Sequence, residues 1–382
     1  MDDICVANNQ FTISLVNAMG SDQNMAVSPL AIFTSLAMIY LGAKGTTESQ
    51  LKQILHLEND EDTHSALKDL IFALNIYDDY VLDIISQLFV DQPFNISQTY
   101  LNASKTWYNS EPEKVNFRHN PENASKQINE WIKEKTGGMV KDWLGENSIS
   151  ADAKLVVINT MNLLANWTQT FPHYKTDLEP FTLSTNELVT VEMMSTSGTF
   201  RFRNASDEGV SILQLPYGKN QGLSLFIVLP EQGLEVKKVE KYLDYEKMVD
   251  WTNSSKMEER FVDVYVPHIK INGSVPLKDT LSKMGMPQVF SDKANFSGIA
   301  QGPLYVYDVI HKAYLKIGED GLENEDVNAD DIATLSLVMP DVAFKANRAF
   351  LFIIHEKATN CVLLYDYSRP SRQDQQTKDP PK

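Results

Sequence analysis

Residues 28–55, SPLAIFTSLAMIYLGAKGTTESQLKQIL, decide how this chain is parsed. From Ser28 to Ala43 the run is almost wholly apolar, but it is broken by Ser and Thr and is too short to cross a bilayer. A buried helix is the reading that remains. GAKGTT at 42–47 has the letters of a phosphate loop but not the order G-x-x-x-x-G-K-[ST]. The end of one helix and the capped start of the next explain it better. Thr47 and Gln50, three apart at the head of TTESQLKQIL, form a predicted capping box.

The same periods extend outward. FTISLVNAM (11–19) has apolar residues at helical spacing. Asn120 and Pro121 open NPENASKQINEWIKEKTGG, whose Ala124, Ile128 and Ile132 make one apolar face and whose Gly137 supplies the stop, so this helix is expected to lie on a sheet. Predicted strands are 80–90, 154–167, 210–218, 223–230, 260–271 and 349–356, several of them continuously apolar as strands buried on both faces are. Helices grouped early and strands grouped late indicate an α+β fold with large mixed sheets. One domain over residues 1–370 is expected, with a polar, mobile tail at 371–382.

The chain of 382 residues is 43% apolar, with 17 Phe, 15 Tyr and 5 Trp, ample for a large core. A net charge of -17 and the lack of any Lys/Arg cluster argue against nucleic acid and heparin, and no membrane contact is expected. Asn-X-Ser/Thr recurs at Asn95, Asn102, Asn123, Asn166, Asn204, Asn253, Asn272 and Asn295. That surplus favours a secreted glycoprotein, although no signal peptide precedes MDDICVANNQF and a cytosolic protein stays open. Cys5 and Cys361, the only cysteines, lie in apolar settings and read as small buried hydrophobes rather than a disulfide or reactive thiols.

Catalytic signatures do not emerge. Seven His include no pair at a metal-ligand spacing, so no metal or cofactor is expected, and there is no G-x-S-x-G, H-E-x-x-H or C-x-x-C. The chain is read as a non-enzyme. EDGLENEDVNADDI (319–332) carries seven carboxylates and no positive charge. Asp326, Asn328 and Asp330 fit the first, third and fifth positions of a calcium loop, but Asp331 replaces the turn Gly and Leu337 the closing Glu. A solvated acidic loop is the default.

Blocks in this order resemble the serpins: NMAVSPLAIFTSLAMIYLGAKGTTESQLKQIL (24–55), INEWIKEKTGGMVKDWL (128–144), LVVINTMNLLANWTQTF (155–171), EMMSTSGTFRF (192–202), LQLPYG (213–218), FIVLPEQG (226–233), FSDKANFSGIA (290–300), YVYDVIHKAYLKIGEDG (305–321) and FKANRAFLF (344–352). The resemblance spans roughly residues 8–370. It implies about nine helices around three sheets, an exposed reactive-centre loop, and a monomer. Ser28, Asn159 and His311 match the family's polar cluster under the main sheet where its strands part, and Trp167 the Trp near the sheet's top. Ala31 stands where that cluster usually has a second Ser, so a thinner network is expected. Any one of them alone reads first as a satisfied core residue.

The resemblance places the reactive loop from Glu319 and, counting from either end, the scissile bond at Leu335-Ser336, bait for a chymotrypsin- or elastase-like pocket. Trapping requires the cut loop to insert as a central strand, turning every second residue inward. After the hinge residues Glu319 and Gly321, the inward set is Leu322, Asn324, Asp326, Asn328 and Asp330. Leu322 is oversized, a cost of roughly 1–3 kcal/mol. Asp326 buried neutral at pH 7 costs about 4 kcal/mol. Each unpartnered Asn adds about 1–3 kcal/mol. The expectation is a non-inhibitory or substrate-like serpin; the alternative is a working inhibitor of chymotrypsin/elastase-like proteases with polar partners under its sheet.

Overall fold

The computed structural model describes residues 2–20, 26–57, 62–76, 80–138, 140, 143–145, 148–322 and 339–368. The expected tail at 371–382 lies outside them. Helix Pro29–Tyr40 is buried at every position, with Ser28 as its N-cap and Pro29 in its first turn. The capping box ahead of the next helix, Gly45–Ile54, does not form. Its N-cap is Lys44, without a side-chain bond. Thr47 Oγ1 instead accepts from the Asn295 amide (2.9 Å), and Gln50 Oε1 from the Gln288 amide (3.1 Å). A neighbouring loop has claimed both side chains, which local spacing does not reveal.

A six-stranded sheet runs in the order Glu113–Val115, Tyr80–Asp91, Leu155–Asn166, Gly321–Leu322, Val306–Ile317 and Ile269–Pro276. Its central strand Leu155–Asn166 alternates faces. Leu155, Val157 and Met161 join the main core with helix Pro29–Tyr40. Val156 and Ile158 face the other way, packing with Phe89, Ile310 and the Ala124–Ile128–Ile132 stripe of helix Pro121–Lys135. That helix starts as predicted, with Asn120 Oδ1 accepting from the Asn123 amide (3.2 Å).

The remaining strands form one eight-stranded ladder. Its first part pairs Leu188–Ala205 with Asp177–Thr182 and Glu258–Pro267, the latter edged by Val342–Lys345; its second part continues through Val210–Tyr217, Leu223–Pro230, Phe350–Glu356 and Cys361–Ser368. The 18-residue strand Leu188–Ala205 joins the parts, so two of the three expected sheets share one continuous ladder. Nine α-helices are present among the described residues. The predicted strand 260–271 is two strands that leave one sheet for the other at His268, whose amide donates to the Glu192 carbonyl (2.9 Å).

The reading of the cysteines is overturned: Cys5 and Cys361 are joined by a disulfide, Cα atoms 5.0 Å apart. Both are buried, as expected, but helix Asp2–Met19 is pinned across the C-terminal strand. Asn8 Nδ2 donates to the Val362 carbonyl (3.0 Å), and Asn9 Nδ2 to the Asn360 carbonyl (2.8 Å). A pairing across 356 residues has no local sequence signal. The Cys5→Ser/Cys361→Ser double variant is expected to lose about 2–5 kcal/mol in urea unfolding, and added reductant to shift the native protein but not this variant.

Candidate functional site

Under the main sheet, the structure brings Ser28, Asn159 and His311 together, all fully buried. Asn159 and His311 are register partners on adjacent parallel strands, and Ser28 heads the helix beneath. The Ser28 amide donates to His311 Nε2 (3.1 Å), and His311 Nδ1 meets Asn159 Oδ1 at 2.7 Å. This pattern fixes a neutral ring with its proton on Nδ1. Ser28 Oγ accepts from the Ala31 amide (3.3 Å) and donates to Met161 Sδ (3.2 Å). Asn159 Nδ2 donates to Ser35 Oγ (3.0 Å). Ser35, two turns after Ser28 on the same helix face, thus supplies a second hydroxyl where Ala31 offers none. The i, i+7 spacing was the available signal.

Burial pulls the His311 imidazole down to about 3, with the Asn159 contact opposing it weakly. A depressed histidine favours the fold fully above its unfolded value near 6.5 and loses that contribution as pH falls toward 3.

Trp167 is not part of this cluster. It sits at the top of the sheet, stacked on Tyr217 with centroids 4.1 Å apart. Its Nε1 donates to the Gly318 carbonyl (2.9 Å) and its amide to the Asp320 carbonyl (2.8 Å), while the Phe171 amide donates to the Glu319 carbonyl (2.9 Å). Trp167 therefore holds the turn at Gly318–Gly321, from which the family resemblance starts the loop. There the chain reverses at Gly318–Gly321, and Leu322 pairs back onto Ile317. Gly321, at φ 138°, lies against Ala165 and Asn166, and a Cβ there would collide with the Ala165 carbonyl oxygen.

Gly321 and Leu322 lie between the two central strands, opposite Asn166 and Ala165. Leu322 is buried. The expected penalty for its size does not apply: its cross-strand neighbour is the small Ala165, and the side chain is already seated. Below it, Leu155–Met161 pairs directly with Val306–Ala313, closing the sheet. Glu319 is nearly buried, with His268 Nε2 at 2.9 Å from Oε2 and Thr176 Oγ1 donating to Oε1 (2.7 Å). Burial raises its pKa, but these partners more than offset that and bring it down to about 2. Asn324, Asp326, Asn328, Asp330, Leu335 and Ser336 lie outside the described residues.

Of the glycosylation acceptors, Asn95, Asn102, Asn123, Asn166, Asn204 and Asn295 are exposed and Asn253 is half-buried; the side chain of Asn272 is outside the described set. Two adjoining clefts of about 370 and 330 Å³ share Gln214, Ser254, Ser255 and Lys357.

Residues 6–366 match the family model Serpin (serine protease inhibitor). The chain is 31% identical to ovalbumin-related protein Y of Gallus gallus, over 96% of this chain and 98% of that one. It is 30% identical to leukocyte elastase inhibitor of Sus scrofa, over 97% and 100%. The crystal structure of uncleaved ovalbumin superposes with a TM-score of 0.86 at 30% identity, covering 96% of this chain and 99% of that one. The chain belongs to the serpin family.

Replacing Asn159 by Ala leaves the His311 Nδ1 proton without its acceptor and is expected to cost about 1–3 kcal/mol in urea unfolding. Across pH 6.5 to 4 the native protein is expected to lose stability as the buried ring is forced to charge. The same titration of His311→Asn is expected to show a shallower fall, with His64 and His355, which burial lowers to about 4, and the depressed Glu319 among the contributors to what remains.

Proposed function

We propose that this serpin presents a cleavable loop but does not trap the protease that cuts it. One observation carries the reading: below Leu322 the seam between the central strands is closed over an apolar floor, except at the Ser28–Asn159–His311 cluster. Continuing the register of Gly321 and Leu322 downward would set Asn324 opposite Leu163, Asp326 opposite Met161, Asn328 opposite Asn159 and Asp330 opposite Val157. Asn328 would reach polar partners, and its cost falls accordingly. Asp330 would not, and Asp326 would meet only the Ser28 hydroxyl, which already donates to Met161 Sδ. Met161 is flanked by Ala313, and Val157 by Val309. Holding each Asp neutral at pH 7 costs about 4 kcal/mol, so a third of the pair's total on the insertion barrier slows insertion by about a hundredfold. The acyl-enzyme then hydrolyses first, and the protein behaves as a substrate and not as an enzyme.

The alternative is inhibition of a chymotrypsin- or elastase-like serine protease through Leu335-Ser336. It draws on the apolar Leu335, on the polar floor beneath Asn328 and on the porcine relative's name. Secretion as a monomeric glycoprotein is proposed from the Cys5–Cys361 disulfide, which belongs to oxidising compartments, and from the exposed sequons.

Incubation with chymotrypsin or an elastase followed by a denaturing gel separates the readings. Clean cleavage near Leu335, with free protease, is expected for the native protein. Asp326→Ala/Asp330→Ala is expected to yield some covalent complex. A band at the summed mass from the native protein contradicts the proposal.

A further inference from the structure

The root of the loop is held by histidines that each face two carboxylates. His268 Nε2 lies 2.9 Å from Glu319 Oε2, and its Nδ1 lies 3.2 Å from Glu192 Oε2. His173 approaches Glu319 Oε1 through Nδ1 (3.7 Å) and Asp320 Oδ2 through Nε2 (3.5 Å). A neutral imidazole carries one N–H and one lone pair. In that form one ring nitrogen of His268 would turn a lone pair toward a carboxylate. Only the imidazolium, with a proton on each nitrogen, satisfies both sides of the ring. The groups facing this site include Glu192 from the long strand Leu188–Ala205, His173 from a 3-10 turn with Thr176 just after it, and Glu319 and Asp320 beside Gly321. In these contacts both partners able to carry positive charge are histidines, not lysines or arginines.

We propose that His268 is a proton-operated latch: charged, it clamps Glu319 and so keeps Gly321–Leu322 wedged between the central strands; neutral, it loosens that wedge.

The linkage supports the direction. Burial lowers the His268 pKa, but Glu319 and Glu192 more than offset this and raise it above its ordinary value. A raised histidine contributes fully below about 6.5 and loses its contribution as pH climbs through its folded value. Glu319, held at about 2, stays ionised throughout. The latch is therefore tight below about pH 6.5 and slackens as the pH climbs through the raised folded value of His268. His311, buried and neutral, drives global stability the opposite way below pH 6.5, so the latch must be read locally. Its action precedes any strand insertion and does not depend on whether trapping succeeds.

Hydrogen exchange by mass spectrometry on the intact full chain, corrected for intrinsic rates, reads it at pH 5.5, 6.5, 7.5 and 8.5. The reporters are the Trp167 and Phe171 amides, which donate to Asp320 and Glu319, with helix Pro29–Tyr40 as the internal control. Protection of the reporters is expected to fall about tenfold from pH 5.5 to 8.5 in the native protein, the loss of a charge-assisted bond. His268→Lys is expected to stay protected across the range, and His268→Gln to be weakly protected throughout. Identical pH profiles for native protein and His268→Gln overturn the latch. Should the variants not fold, the NMR titration of His268 in the native protein decides: a midpoint above 6.5 supports it and one below overturns it.

Discussion

The seam between strands Leu155–Asn166 and Val306–Ile317 governs the molecule. Along its lower part the two strands pair directly; at its top Gly321–Leu322 forces them apart. A parallel pair that is closed below and wedged above must break ladder bonds one after another if a new strand is to travel down it. Whatever enters has every second side chain delivered onto the helix Pro29–Tyr40 side. The chemistry of that floor therefore decides what the loop can do. It is apolar apart from one neutral, fully bonded network built on His311, which has hydrogen-bonding capacity but no fixed charge to meet a carboxylate.

The same seam explains why so much polar chemistry gathers at its two levels. Midway down, the fully buried Ser28, Ser35, Asn159 and His311 are hydrogen-bonded through one another, so each is costly to remove. At the top, Trp167 donates from both its ring and its backbone to the turn at Gly318–Gly321. The carboxylate of Glu319 is anchored there by His268, at the break where the chain passes from one sheet to the other, and by Thr176 just after the 3-10 turn. The loop root is thus the place where the two ladders are tied together, and a change in its ionic contacts reaches both.

Much of this was legible in the sequence, for reasons particular to each element. The apolar run from Pro29 to Tyr40 could only be a buried helix, and the Ala124–Ile128–Ile132 stripe found its sheet. Strand Val306–Ile317 is absent from the strands predicted by periodicity and entered only as a block of the family resemblance, although from His311 onward it alternates buried residues with half-exposed Lys and Tyr. The break at His268, the disulfide and the borrowing of Thr47 and Gln50 are tertiary events, each decided by a partner far along the chain. Leu322 shows the limit most clearly. Its size looked like an obstacle until the neighbour, Ala165, was known.

The central claim is that Asp326 and Asp330 keep the severed loop out of the seam. Scanning calorimetry of the intact protein and of the protein clipped at Leu335-Ser336 tests it most directly, because a strand added to the middle of the sheet stabilises the whole domain. The account predicts midpoints within about 3 °C of each other; a clipped form that melts about 10 °C or more above the intact one would contradict it.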